Sequence, residues 1–566
     1  MKFNEMVYER PDMEKTLAVL KENRKKLETA KSFTEAEQAF LQEEKDEGHI
    51  ETMYTLSQIR HDIDTRDPFY KEENAFWMEQ LPFIETETQA FTRSLTHSTY
   101  KDAFEKKYGH LYFLNAEIAE KAFDEKIVPE LQKENALAQK YEDLLASAQV
   151  EFEGKKYTLS QMEPFKNDPD DERRKQAWIA EGTWYKSVQP EMDEIYDELV
   201  HVRDEMGKKM GYDSYTRLGY YRMERNCWDR NDIEKFREAV VKYVVPAAEK
   251  VYRAQAARTG CAYPLSFADA DLSFRSGNPK PQGADEDVLQ AGLRFYSELS
   301  PETKEFFTMM LEDELMHTAS TEGKAGGGYC TMIPDYHVPY IFANFNGTQA
   351  DVEVITHEAG HAFAAWMNRG RIPASYIWPT SEACECHSMS MEFFGEQWAE
   401  DFFGKDAAKY RYAHLANALK FIPYGTAVDH FQHEMYDHPD YTPSERHAVW
   451  KKLLGIYMPW YRLDGEIPFY SEGQHWQLKH HIYSSPFYYI DYCLAQTVSL
   501  EFWAMIQDDM AEAWKKYMKY TRMGGSDTWV NMLERAELDS PLESDTLHNV
   551  AEKAGKWLEE HEPLDA

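Results

Sequence analysis

The sequence predicts a mostly α-helical protein with a small amount of β-structure, on three observations. Long stretches such as residues 112–147 mix Ala, Leu, Glu and Lys with few helix breakers. Segments that alternate or run apolar over strand length are few and short, as at 150–159 and 340–346. No apolar run reaches the 18 residues that a membrane helix needs, so no membrane partner is expected.

The elements follow in order. "FTEAEQAFLQEEK" opens a helix with Thr34 and Glu37 in capping-box spacing. "VEFEGKKYTL", 150–159, predicts a hairpin that turns at Gly154. Asp168 is placed to cap the next helix, with Pro169 at its first position, and a helical tract runs on to about residue 260. Residues 260–285 carry Gly, Pro, Ser and Asp and predict a loop region. "EGKAGGGYC", 322–330, is a second flexible stretch, and it lacks the Gly-x-x-x-x-Gly-Lys-Ser/Thr pattern of a phosphate cradle. "YIFANFN", 340–346, reads as a strand, and residues 348–370 read as one helix from Thr348 to Gly370.

Composition narrows the function. The chain has 566 residues, and length alone allows three or four domains. Against 63 Lys+Arg stand 100 Asp+Glu, a net charge of −37, which argues against nucleic acid as a partner. Six cysteines in such a length form no secreted disulfide framework, and the charged start "MKFNEMVYERPDMEK" has no apolar signal core. A reducing cytoplasm is the expected location.

Within "VITHEAGHAFAAW", His357 and His361 fall one helical turn apart on one face, a spacing that lets two imidazoles share a zinc ion. Glu358 is one residue round from His357, faces the open side of such a site, and can take a proton from a water held there. With 20 histidines in the chain, chance supplies on the order of 0.1 such matches. Context adds weight: Gly360 suits a close approach, and a third ligand can come from "WPTSEACECHSMSMEFFGEQW", 378–398. That segment offers Glu382, Cys384, Glu385, Cys386, His387 and Glu392. A carboxylate is the usual partner of two helical histidines in zinc hydrolases, but spacing leaves Glu382 and Glu385 open.

At these residues the chain resembles the thimet oligopeptidase/oligoendopeptidase F family of zinc peptidases (peptidase family M3), nearest its oligoendopeptidase F branch. The likeness rests on "HEAGHAF" followed by "ECHSMSMEFF", and on "GGGYCTMIPDYHVPYIFANFNGT", "IPYGTAVDHFQHEMYDHP", "HHIYSSPFYYIDYCLA" and "GGSDTWVNMLERAELD", all in the family's order. It implies a two-lobed helical metallopeptidase with a deep central channel. Residues 1–160 would form an N-terminal helical lobe and 161–566 the catalytic domain, with the small β-sheet beside the zinc helix. It implies one Zn²⁺ per chain held by His357, His361 and Glu385. The implied activity is a zinc-dependent oligoendopeptidase that cuts internal bonds of short unstructured peptides through a zinc-activated water. His481 and Tyr492 would stabilise the oxyanion, with Tyr488 and Tyr489 against the substrate; His480 competes with His481, and the three tyrosines with one another, for these roles.

An extended peptide has unpaired backbone groups, so an exposed strand edge can hold it. The strand of Tyr340, Ile341, Phe342, Ala343 and Asn344 is expected to supply that edge. His430, His433 and His438 occupy a helical pattern and are expected to pack rather than bind metal. Cys384 and Cys386 are expected as small packing residues beside the ligand. Two other classes fit the motif: a helical zinc carboxypeptidase, which needs a basic residue for the terminal carboxylate, and a non-enzymatic scaffold with a closed structural zinc.

Overall fold

The computed structural model describes residues 1–563. Helices dominate. Two small sheets accompany them: the hairpin β1 (Val150–Phe152) and β2 (Lys155–Tyr157), and a three-stranded sheet of β3 (Met316–Ala319), β4 (Tyr329–Ile333) and β5 (Val338–Phe345). Among the described residues no helix is long and apolar enough to cross a membrane.

The chain forms two compact units. One comprises Met1–Glu117, Lys280–Lys405 and Met505–Leu538; the other comprises Ile118–Pro279, Asp406–Ala504 and the stretch from Asp539 on. These units do not follow the boundary expected at 160/161, because compaction joins the first 117 residues to the segment that carries the paired histidines.

In the first unit, helices Met13–Thr29, Phe33–Ile63 and Pro68–Thr96 close over Leu27, Phe40, Phe91, Leu95, Phe104 and Phe113, all buried. Each such side chain contributes roughly 1.5–3 kcal/mol through its removal from water. The second of these helices starts two residues earlier than its sequence suggests. Ser32 is the cap and accepts from Glu35 N at 3.3 Å, while the Glu35 carboxylate accepts from Lys31 N at 2.8 Å. Ser32-x-x-Glu35 carries the capping chemistry assigned to Thr34 and Glu37.

The sheet order is β3-β5-β4, with β5 parallel to β3 and antiparallel to β4. Ile341 pairs with Met316 on one side and Cys330 on the other. The expectation that Tyr340, Ile341, Phe342, Ala343 and Asn344 offer an exposed edge is therefore wrong: β5 is the central strand, and Tyr340 through Ala343 are buried. The outward edge on that side belongs to β4, which pairs with no further strand among the described residues.

In the second unit the hairpin at 150–157 forms as expected. A short helix, Leu159–Lys166, follows it, and the next begins at Asp171 with Asp170 as cap, accepting from Arg173 N at 2.8 Å. Asp168 instead accepts from Asp170 N at 2.8 Å, so Asp168 and Pro169 precede the helix. The tract to residue 260 comprises Asp171–Met210, Tyr215–Arg222, Arg230–Ala239 and Val245–Thr259, the last two joined without a break by a π-helical turn at Val240–Val244 and ended by Gly260 at φ +74°. The stretch 112–147 is likewise two helices, Leu111–Ala122 and Val128–Ala146, interrupted where Asp124 caps a short turn. Residues 260–285 are loop apart from one turn at Phe267–Ala270.

Candidate active site

The helix Gln349–Met367 is launched from β5 by a three-residue turn. Gly347 takes φ +78°, which only glycine adopts at little cost. The buried Asp351 carboxylate reaches back to accept from Asn346 N at 2.9 Å and Gly347 N at 2.7 Å. Thr348 is the cap residue by position, but its hydroxyl bonds Asn346 Oδ1 at 2.6 Å instead of the helix. Asp351 thus fixes where the helix begins, and with it the direction of His357 and His361.

The second element is the helix Ser381–Gly395, which lies directly against the first. Gly360 makes this approach possible: a Cβ there would meet Ser388 Cα at 2.8 Å and His387 O at 2.9 Å. Glu385 and Glu392 sit two turns apart on the facing side. Glu385 Oε2 lies 3.3 Å from His357 Nε2 and 3.4 Å from His361 Nε2. Ser388 Oγ donates to the same Oε2 at 3.0 Å. The other nitrogen of His357, Nδ1, lies 2.7 Å from Glu392 Oε1. An ionised carboxylate only accepts, so Nδ1 carries a proton towards Glu392, and a metal bound at Nε2 would take the place of the second proton that the two carboxylates favour there.

Burial disfavours charge here, yet partners override it. The carboxylates of Glu385 and Glu392 hold the His357 pKa well above that of an ordinary histidine despite its desolvation. Burial would raise Glu385; His361 and His357 instead pull it below the usual carboxylate range.

Among the described residues, one group of His, Cys, Asp or Glu side chains converges as metal ligands would: His357, His361 and Glu385, whose donor atoms all lie within 4.8 Å of one another. Two imidazole nitrogens and one carboxylate oxygen are the donor set of an open, water-accepting zinc site. The residues therefore fit a divalent metal; Glu385 belongs to the converging group, whereas Glu382 lies buried one turn earlier and does not join it. Glu358 is half-buried on the next position round from His357. Burial, and after it the Glu358 charge, raises the Cys330 thiol pKa, and β4 packs against the helix that carries Glu358. The edge strand and the candidate base are thus neighbours, a relationship not foreseen from the sequence.

The second unit assembles the other expected residues. His481 packs against three tyrosine rings, with centroids at 5.5 Å for Tyr488, 5.1 Å for Tyr489 and 5.9 Å for Tyr492. His480 points elsewhere: it is exposed and its Nδ1 lies 2.7 Å from Glu142. Tyr489 is buried, whereas Tyr488 and Tyr492 remain half-buried with rings 5.2 Å apart. Buried arginines pin this segment. Arg203 donates to Ile482 O at 3.2 Å and pairs with Glu134 at 2.6 Å. Arg225 donates to Phe487 O at 2.9 Å and pairs with Asp491 at 2.6 Å.

The remaining candidates pack as expected. His433 is buried between Tyr220, Arg237 and Asp429. His430 bonds the Tyr457 hydroxyl at 3.0 Å, and His438 lies against Tyr441. Cys386 is buried, and Cys384 Sγ bonds Pro379 O at 3.3 Å. None of them joins the ligand group.

Comparison with known proteins agrees with this fold. The Peptidase M3 N-terminal domain matches residues 3–123, and Peptidase family M3 matches residues 291–552. A solved structure named for oligoendopeptidase F is 42% identical, with 99% of both chains covered and a TM-score of 0.93. PZ peptidase A with an inhibitor is 41% identical over 99% of both chains, TM-score 0.93. An oligoendopeptidase F named from Bacillus anthracis str. Ames is 38% identical over 99% of this chain and 98% of that one, TM-score 0.89. No curated protein matches the chain. Fold and relatives together define a peptidase. The chain belongs to peptidase family M3, in its oligoendopeptidase F branch.

Proposed function

We propose that this peptidase is a zinc-dependent oligoendopeptidase that hydrolyses internal bonds of short, unstructured peptides. The observation that supports this best is the convergence of His357, His361 and Glu385 beside Glu358. Three such side chains and no fourth meet this geometry among the described residues, which favours an open catalytic site over a closed structural one. When bound, zinc would supply Lewis-acid polarisation of the scissile carbonyl and of water.

The chain's own residues do the rest. Glu392 holds His357 in the tautomer that presents Nε2. Glu358 accepts a proton from the attacking water and passes it to the leaving amine. The outer edge of β4, in place of β5, pairs with the extended substrate backbone. His481 and Tyr492 donate to the oxyanion that forms on the substrate carbonyl, and Tyr488 and Tyr489 line the substrate. No disulfide forms among the described residues, which supports a reducing, cytoplasmic setting.

The test is digestion of peptides blocked at both ends, with and without chelator, read by mass spectrometry. Internal cleavage that chelator stops and zinc restores is the expected result. Cleavage only of peptides with a free C-terminus would make the protein a carboxypeptidase, and cleavage indifferent to chelator would overturn the metal reading.

A further inference from the structure

Lysines withdrawn from water in this protein have acceptors, with one exception. Lys166 pairs with Glu163 at 2.6 Å and Glu181 at 2.9 Å. Lys324 donates to His317 O at 3.0 Å and Ala319 O at 2.8 Å, and Lys420 donates to Gln255 Oε1 at 2.5 Å. Lys479 is half-buried and has no such partner: among the described residues no carboxylate, carbonyl or hydroxyl is bonded to its Nζ. It lies instead over two aromatic faces, 4.7 Å from the Tyr489 centroid and 5.3 Å from that of Tyr424. The two rings are themselves 5.8 Å apart, edge to face.

Two tyrosine faces hold a cation in place but do not neutralise it. Burial raises both phenol pKa values, so neither ring supplies a negative charge near neutral pH. Burial also pushes the Lys479 pKa down to about 8, which still leaves it mostly protonated at pH 7. An ammonium so placed lacks one thing, an anionic acceptor, and solvent still reaches it. Tyr489, which touches Lys479 on one side, touches His481 on the other at 5.1 Å. The unpaired cation is thus one ring removed from the histidine assigned to the reaction.

We propose that Lys479, framed by Tyr424 and Tyr489, is a subsite for the C-terminal carboxylate of the peptide substrate. The inference rests on the peptidase reading and narrows its substrate class. Every unblocked peptide carries one obligatory anion, its α-carboxylate, and a single compact ammonium suits a monoanion. A net charge of −37 gives the protein no general attraction for anions, so recognition has to come from a specific cation. Endopeptidase action is retained, because the subsite favours a nearby free terminus without requiring it.

The experiment compares one internally cleavable peptide in three forms: free acid, C-terminal amide, and amide with an aspartate near the end. The reading is the free-acid to amide ratio of kcat/KM, together with the ratio of affinities for Glu358→Gln protein measured by fluorescence anisotropy. Wild type is expected to prefer the free acid about tenfold or more, mainly through KM. In Lys479→Met that ratio falls to near one, and in Lys479→Arg it is kept. A ratio does not depend on how much protein is folded or active, and Lys479→Gln repeats the test if the Met variant does not fold. Equal use of acid and amide by wild type, or a ratio that survives in Lys479→Met, overturns the proposal. A preference that follows the aspartate and not the terminus overturns the terminal assignment. Absence of any cleavage would strike the oligoendopeptidase reading instead, while the affinity ratio would still report on Lys479.

Discussion

Glu392 Oε1 lies 2.7 Å from Nδ1 of His357, which engages that nitrogen and turns Nε2 towards Glu385. Glu392→Gln keeps the size of the side chain and removes its charge. Metal affinity, measured by chelator competition, is expected to fall about 10–100-fold, as is typical when such a supporting carboxylate is lost. Affinity equal to wild type would show that His357 is oriented by packing alone.

Glu358→Gln separates chemistry from binding. Turnover of an end-blocked peptide is expected to fall by at least about 10²–10⁴-fold, with metal content by elemental analysis unchanged. Activity retained by pure, metal-loaded variant would remove Glu358 from the reaction.

Tyr492→Phe deletes one hydroxyl from the cluster around His481. A donor used only as the oxyanion forms is read in kcat and not in KM, with a loss of about 10²–10³-fold. A change confined to KM would make Tyr492 part of the substrate-binding wall, beside Tyr488.

Gly360→Ala tests the closeness of the two ligand helices. Its Cβ would stand 2.8 Å from Ser388 Cα, and neither backbone can yield without moving Glu385. Destabilisation of about 1–3 kcal/mol is expected, seen as a lower Tm, together with weaker metal binding. An unaltered Tm would mean that the helices separate freely.

His475 gives a pH-dependent term. It is buried among Phe267, Trp450 and Tyr470, and burial pushes its pKa down from 6.5 to about 4. The folded state therefore binds fewer protons than the unfolded state between those values. Its contribution is present above pH 6.5 and is lost as the pH falls towards 4, about 3 kcal/mol in all. Thermal unfolding of wild type and His475→Gln across this window should show a shallower acid slope in the variant. Parallel slopes would refute the assignment.

The legible part of the site was its contiguous part. His357, Glu358 and His361 share one helix, so spacing alone sets their faces. Glu385 could not be told from Glu382 by spacing, since both lie on the buried side of one helix and only the partner helix chooses between them. His480 and His481 are adjacent, and what separates them is Glu142, more than 300 residues away in sequence. The misreading of β5 had a visible cause. "VPYIFANF" runs apolar without alternation, which is the pattern of a strand covered on both faces, and its partners at 316–319 and 329–333 are short enough to pass as loop. Helix caps slipped by two residues at Ser32 and Asp170 because neighbouring Ser, Thr and Asp residues compete for the same role.

The open edge of β4 also bears on self-association. An unpaired strand is a template on which a second copy of a chain can stack, and long flat edges seed aggregates. This edge is five residues long, Tyr329–Ile333, with Gly326, Gly327 and Gly328 before it and Pro334 after it. It is long enough to grip one short strand and too short to nucleate a growing sheet. Met332 and Ile333 are buried and the other three residues half-buried, so the edge offers little surface to a second copy of the chain.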